Sequence, residues 1–138
     1  MRLVIQRVSE ARVDIDGQSV GAIGKGLLVL CGFEAADTDE ELDWTAAKLV
    51  NMRIFADEAG LMNLSVLDIE GDILLVSQFT LHASTKKGNR PGFVRAARPE
   101  QAIPLYESFK SKVSHLLGKA VASGEFGADM QVHLCNDG

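Results

Sequence analysis

Leu27-Leu28-Val29-Leu30-Cys31-Gly32-Phe33 is a continuous apolar run preceded by the tight-turn sequence Gly24-Lys25-Gly26. A segment that is apolar at both odd and even positions has no face to offer to water, so it predicts a central strand of the sheet. Upstream, Ala11-Arg12-Val13-Asp14-Ile15 and Val20-Gly21-Ala22-Ile23 flank Asp16-Gly17, a hairpin signal. Further out, residues 2–8 form a β-branched strand that puts Leu3, Ile5 and Arg7 on one face and Val4, Gln6 and Val8 on the other. Arg7 thus stands in line with apolar neighbours, where it needs an anion or carbonyl partner or the exposed end of the strand. Four strands in the first third predict a mainly antiparallel sheet or barrel.

Downstream, acidic residues gather over 34–43, and Thr38-Asp39-Glu40-Glu41 fits a capping box opening a helix whose buried stripe is Leu42, Ala46, Leu49 and Val50. The acids are explained by the favourable charge of a helix N-terminus rather than by a metal. Residues 52–56 and 61–67 read as a strand and its return about the turn Asp57-Glu58-Ala59-Gly60. A second helix is predicted over 99–117, with Tyr106, Phe109, Val113, Leu116 and Leu117 on one face, Pro99 near its start and Gly118 past its end. Pro104 either sits in the first turn or kinks the helix. Residues 119–123 and 130–135 are the final strands.

The second apolar run, Ile73-Leu74-Leu75-Val76, turns abruptly into Ser77-Gln78-Phe79-Thr80-Leu81. Hydroxyls, an amide and successive backbone N–H groups therefore arrive at the edge of the core, where a ligand can reach them. The same residues also suit a locally tied turn. After them comes His82-Ala83-Ser84-Thr85-Lys86-Lys87-Gly88-Asn89-Arg90-Pro91-Gly92-Phe93, too long for a hairpin turn and composed like a functional surface loop.

Charge sharpens that contrast. The chain of 138 residues is one domain, 1–138, with a net charge of −5. From Ile73 to Pro99 there is no acid, while Lys86, Lys87, Arg90, Arg95 and Arg98 supply five positive charges and leave −10 for the remainder. A solvated loop is one explanation of the basic stretch; backbone phosphates are the expected target if it binds anything. Cys31 and Cys135 lie in apolar runs without metal or disulfide spacing and predict buried thiols in a reducing, cytoplasmic setting. No stretch is apolar enough for a signal peptide core or a membrane span.

Familiar catalytic patterns are absent: there is no glycine-rich phosphate loop, zinc pattern or nucleophile elbow, so neither metal nor cofactor is expected. His115 falls on a helix surface and His133 alternates outward. His82 shares a strand side with Thr80 by alternation, which would suit a base, but it is expected as an exposed loop residue. An enzyme built this way would stabilise an oxyanion with backbone N–H groups rather than use an imidazole-driven triad.

Gln6-Arg7-Val8-Ser9, Ser77-Gln78-Phe79-Thr80-Leu81, Asn89-Arg90-Pro91-Gly92-Phe93, Phe126-Gly127-Ala128-Asp129-Met130 and Asn136-Asp137-Gly138, in that order, resemble the motifs of the D-aminoacyl-tRNA deacylase (D-tyrosyl-tRNA deacylase) family. The resemblance spans essentially the whole chain. It implies a compact β-barrel-like sheet flanked by two helices, within a mixed but mainly antiparallel α/β fold. It also implies a homodimer with active sites at the subunit interface, and hydrolysis of the ester of D-aminoacyl-tRNA and of glycyl-tRNA mischarged on tRNA-Ala. A non-catalytic RNA-binding homodimer is the alternative from another class, and a small-molecule esterase a third.

By motif position the resemblance assigns Ser77, Gln78, Phe79 and Thr80 to the catalytic pocket, with main-chain donors at Phe79 and Thr80. It assigns Phe126, Ala128, Met130 and Gly138 to substrate binding, while Lys86, Lys87, Arg90 and Arg95 serve tRNA and Arg7 has a supporting role near the partner's glycine-proline segment. In the family that glycine precedes a cis-proline which crowds an L side chain. Gly138 matches the glycine, so a proline and a closing strand are expected to follow where this sequence stops. Gly92 departs from the serine usual in relatives.

Overall fold

A computed structural model describes residues 1–138. The chain runs β1 (Arg2–Ile15), β2 (Gln18–Ile23), β3 (Gly26–Gly32), α1 (Asp39–Asn51), β4 (Phe55–Ala56), β5 (Met62–Leu64), β6 (Asp72–Ser77), a single 3-10 turn (Phe79–Leu81), α2 (Pro99–Leu117), β7 (Ala122–Ser123) and β8 (Gln131–Asn136). The main sheet has the order β2-β1-β3-β6-β7, with β8 also paired to β1. As expected, β3 is central: it is antiparallel to β1 and parallel to β6. β1 is antiparallel to β2 and β8 as well, whereas β6 and β7 are parallel. The sheet curls until β2 and β7 nearly meet, because a Cβ on Gly21 would lie 2.7 Å from the Ser123 carbonyl oxygen. The barrel-like sheet and its two helices are therefore those anticipated.

Alternation on the central strands builds two cores. Leu27, Val29 and Cys31 of β3, with Ile73 and Leu75 of β6, face the helices and join Leu42, Ala46, Leu49, Val50, Ala102, Tyr106, Phe109 and Val113. Leu28, Leu74 and Val76 face the other way and meet Val8, Ala11 and Val13 of β1 inside the curled sheet. Buried apolar surface on both faces is what makes these two runs continuous rather than alternating in sequence.

Local chemistry sets the ends. The Glu41 carboxylate accepts from the Thr38 backbone N–H at 2.5 Å and from the Thr38 hydroxyl, closing α1 as the sequence predicts. α2 starts on Pro99 and stops at Gly118, whose φ of +79° is the left-handed cap that glycine adopts without strain. Pro104 lies inside α2.

Several expectations are corrected. The strands expected over 2–8 and 11–15 are one strand, with an irregularity between Val8 and Glu10 where β8 docks. The segments expected as strands over 52–56, 61–67 and 119–123 shrink to two, three and two residues, since only those find a pairing partner. Leu116 is exposed rather than on the buried face. Cys135 is also exposed, because β8 lies off the main strand order and pairs only with β1, while Cys31 is buried as expected.

Candidate active site

The end of β6 lies against the end of β3, and the ladder between them fixes how the chain leaves the sheet. Ser77 pairs with Cys31, and the Gln78 N–H donates to the Cys31 carbonyl at 2.7 Å. That bond uses up the Gln78 amide. The chain then winds into its single turn, closed by the Leu81 N–H on the Gln78 carbonyl at 3.2 Å and the His82 N–H on the Phe79 carbonyl at 3.1 Å. Phe79 and Thr80 supply the first two amides of that turn, positions for which a turn of this kind provides no internal acceptor.

Gly32 lets the turn sit this close. A Cβ there would stand 2.8 Å from the Gln78 carbonyl oxygen, 3.2 Å from His82 Cδ2 and 3.3 Å from Leu81 Cβ. The turn also overturns the expectation for His82. Its side chain is fully buried, with neither ring nitrogen hydrogen-bonded and Nδ1 3.6 Å from Glu34 Oε1. Strand alternation does not survive a helical turn, so sharing a strand side with Thr80 was no guide to where the imidazole goes.

A pocket of about 330 Å³ opens beside the turn. It brings together six of the predicted residues: Ser77, Gln78, Phe79, Phe126, Ala128 and Met130. Thr80 is not in its lining, but its hydroxyl accepts from the Gln78 side-chain amide. Gly138 is also elsewhere, with φ +94°, packed against the Arg7 guanidinium so closely that a Cβ would clash. Arg7 finds the carbonyl partners its position demands: Nε donates to the Asp137 carbonyl at 2.7 Å and Nη1 to that of Ile54 at 2.5 Å. Within one chain it thus holds the chain's own segment 137–138.

Cys31, Gly32, Phe33, Val76, Ala102 and Val132 add to the wall; nothing in their spacing marks them, since they read as core. Burial pushes the Cys31 thiol up to about 12, and its Sγ lies 3.5 Å from the Val76 carbonyl oxygen. The thiol is therefore no nucleophile at neutral pH. Asp129, also in the lining, accepts from the Gln131 side-chain amide at 3.2 Å.

The four predicted basic residues lie in a second, larger cleft of about 590 Å³, which also takes Arg2, His82 and Ser84. Its loop is closed by backbone alone: Ser84 and Gly92 exchange two N–H···O bonds of 2.9 Å, so position 92 needs no side chain for that closure. Phe93 packs edge-on to Phe79, with ring centroids 5.3 Å apart, and so ties the loop to the turn.

These features define a class: a small curled-sheet protein whose apolar pocket lies beside a turn headed by two unspent amides, next to a cleft lined by cations. The family model described as D-Tyr-tRNA(Tyr) deacylase matches residues 4–138. Proteins named D-aminoacyl-tRNA deacylase from Akkermansia muciniphila and Dechloromonas aromatica are 64% and 62% identical over all of this chain and 92% of their own length. A solved structure named c-Myc DNA Unwinding Element Binding Protein superposes with a TM-score of 0.92 at 42% identity, covering 99% of this chain and 93% of that one. Another, described as a probable eukaryotic D-amino acid tRNA deacylase, reaches a TM-score of 0.84 at 22% identity over 99% and 94% of the two chains, a likeness of fold. The chain belongs to the D-Tyr-tRNA(Tyr) deacylase family.

Proposed function

We propose that this protein hydrolyses the ester joining a D-amino acid to the terminal ribose of tRNA, as the names of its relatives state for them. The ester carbonyl lies in the pocket bounded by Ser77, Gln78 and Phe79, and the Phe79 and Thr80 N–H groups donate to its oxygen as negative charge develops there. Water attacks the carbonyl carbon, aided by the 2′-hydroxyl that the substrate itself carries. The carbon–oxygen bond to the ribose then breaks, and the proton passes to the leaving ribose oxygen. The observation that carries this reading is the spent Gln78 amide beside two unspent ones, in a pocket whose one thiol is held neutral by burial.

Handedness is set by main-chain geometry. Gly138 is held by Arg7 away from the pocket of its own chain, so for it to touch substrate it must enter the pocket of a second copy. This supports a homodimer with active sites at the interface. Glycine, lacking the side chain that geometry tests, is accepted as a D-amino acid is.

The decisive experiment incubates the protein with D- and L-tyrosyl-tRNA. The D ester is expected to disappear and the L ester to persist; survival of both excludes the reading. The rival, a nucleic-acid-binding dimer without catalysis, is favoured by the name of the 42% identical structure, which describes that protein as binding DNA. Binding that weakens steeply with salt, without ester cleavage, selects it.

A further inference from the structure

Among the buried polar side chains, His82 alone is left without a hydrogen bond. Ser65, the other one, is paired with Asp68, whose N–H donates to the Ser65 hydroxyl at 3.1 Å. The His82 ring is wholly out of contact with water, and neither of its nitrogens has a partner. Burying an unpaired N–H is costly, and an apolar side chain of similar size would fill the space without that cost. The polar atoms therefore need a use.

Place narrows that use. His82 directly follows the 79–81 turn and is not in the lining of the pocket, so its imidazole takes no proton from water attacking an ester there. Its ring lies instead against Gly32, a residue of the pocket wall, with Cδ2 3.2 Å from where a Cβ would be. The turn has little backbone support: bonds of 3.2 and 3.1 Å close it, and the Gln78 N–H is its last tie to the ladder. Its far end is held by side chains, with Arg2 on the Leu81 carbonyl at 2.8 Å and the His82 ring packed on Gly32.

The ring also meets a carboxylate. Nδ1 stands 3.6 Å from Glu34 Oε1, too long for a hydrogen bond. An approach of about 0.7 Å would make it one. Glu34 is anchored from two sides: its N–H donates to Asp37 Oδ2 at 2.8 Å, and Arg95 Nη2 stands 2.6 Å from its Oε1. The carboxylate is thus the fixed member of the pair and the turn carrying His82 the movable one. Hydrogen bonds that serve catalysis are often long in a site without substrate and shorten in the complex.

We propose that His82 is a positioning residue: its Nδ1–H bonds Glu34 as the turn settles against substrate, which aims the Phe79 and Thr80 amides at the ester oxygen. The inference rests on the deacylase reading and deepens it by naming what orients the oxyanion donors. A bond open in the free protein and made as charge develops favours the transition state over the ground state, so it raises the rate and leaves binding alone.

The test is single-turnover kinetics on D-tyrosyl-tRNA for the unaltered protein, H82L, H82N, E34A and E34A/H82L, with thermal unfolding of each. H82L fills the space without a donor, and its maximal rate should fall about 10- to 100-fold with half-saturation moved less than about twofold. H82N puts an amide N–H where the imidazole has Nδ1 and should bring the rate back to within about fivefold of the unaltered protein. E34A keeps the ring and should lose about tenfold in maximal rate, while any effect of releasing Arg95 falls on half-saturation. In E34A/H82L the further loss should be less than about twofold, because the two residues act as a unit. A ring that served packing alone gives the opposite order, with H82L faster than H82N and E34A at full rate, and that result overturns the proposal. Should H82L fail to fold, E34A decides, since the backbone bonds of Glu34 survive the change. An unaltered protein that leaves D-tyrosyl-tRNA intact overturns the deacylase reading, and the role of His82 falls with it.

Discussion

Gly32 has no side chain and still decides where the candidate oxyanion donors stand. Adding one methyl puts it 2.8 Å from the Gln78 carbonyl oxygen, inside contact distance of backbone that is anchored by the ladder and cannot swing aside. Gly32→Ala is therefore expected to cost about 1–3 kcal/mol of stability by overpacking. It should also cost about 10- to 100-fold in turnover of D-tyrosyl-tRNA, because a displaced turn misplaces the amides. Thermal unfolding and single-turnover rates check the two effects. Thr80 behaves differently, since its hydroxyl is tied to the Gln78 amide and no imidazole stands in the pocket to activate it. Thr80→Ala should keep turnover within about tenfold, against the roughly 10⁴-fold or greater loss that follows removal of a true nucleophile. Near-total loss with intact binding would instead make the Thr80 hydroxyl the attacking nucleophile.

At the scale of elements, three carboxylates close turns and helix ends. The Thr38 hydroxyl and N–H hold Glu41 below the usual carboxylate range. The Leu61 N–H, with the Asn63 amide, does the same for Asp57, and the Ser65 N–H and hydroxyl for Asp68. A carboxylate with a depressed folded pKa contributes stability that is fully present above its unfolded value, about 4. That contribution fades as the pH falls through the folded value. The protein should therefore lose stability as the pH drops below about 4 to 5. The triple variant E41Q/D57N/D68N should show a flatter acid limb in chemical denaturation, and an unchanged limb would place the acid sensitivity elsewhere. Tyr106 joins α2 to the sheet through its hydroxyl, 3.3 Å from the Leu75 carbonyl oxygen. That bond sits one residue before Val76 in the pocket wall, so helix and pocket are mechanically linked.

For the whole molecule, the consequence is association. Gly138 and the pocket it is assigned to do not meet within one chain, and both β8, at Leu134 and Cys135, and β1, at Val4, leave apolar side chains exposed. Light scattering after size exclusion should give twice the chain mass of 14.9 kDa. A monomer that is nonetheless active would remove the need for a partner's glycine.

Much of this was legible in the residues. The central strands, the capped first helix and the second helix from Pro99 all follow from patterns within a few positions of one another, whereas the pocket residues of the 77–79 and 126–130 motifs were named by the family resemblance. What escaped depends on partners distant in sequence: the length of the short strands, the exposure of Cys135, the inward turn of His82 and the convergence of Arg2 with Arg95. Hydropathy period and turn chemistry are local properties, so the sequence alone determined which segments are strand, helix and loop and which residues could carry chemistry. Only the folded chain decided which amides were spent in the ladder and which cations share a cleft, because hydrogen-bond pairing and charge proximity depend on distances through space.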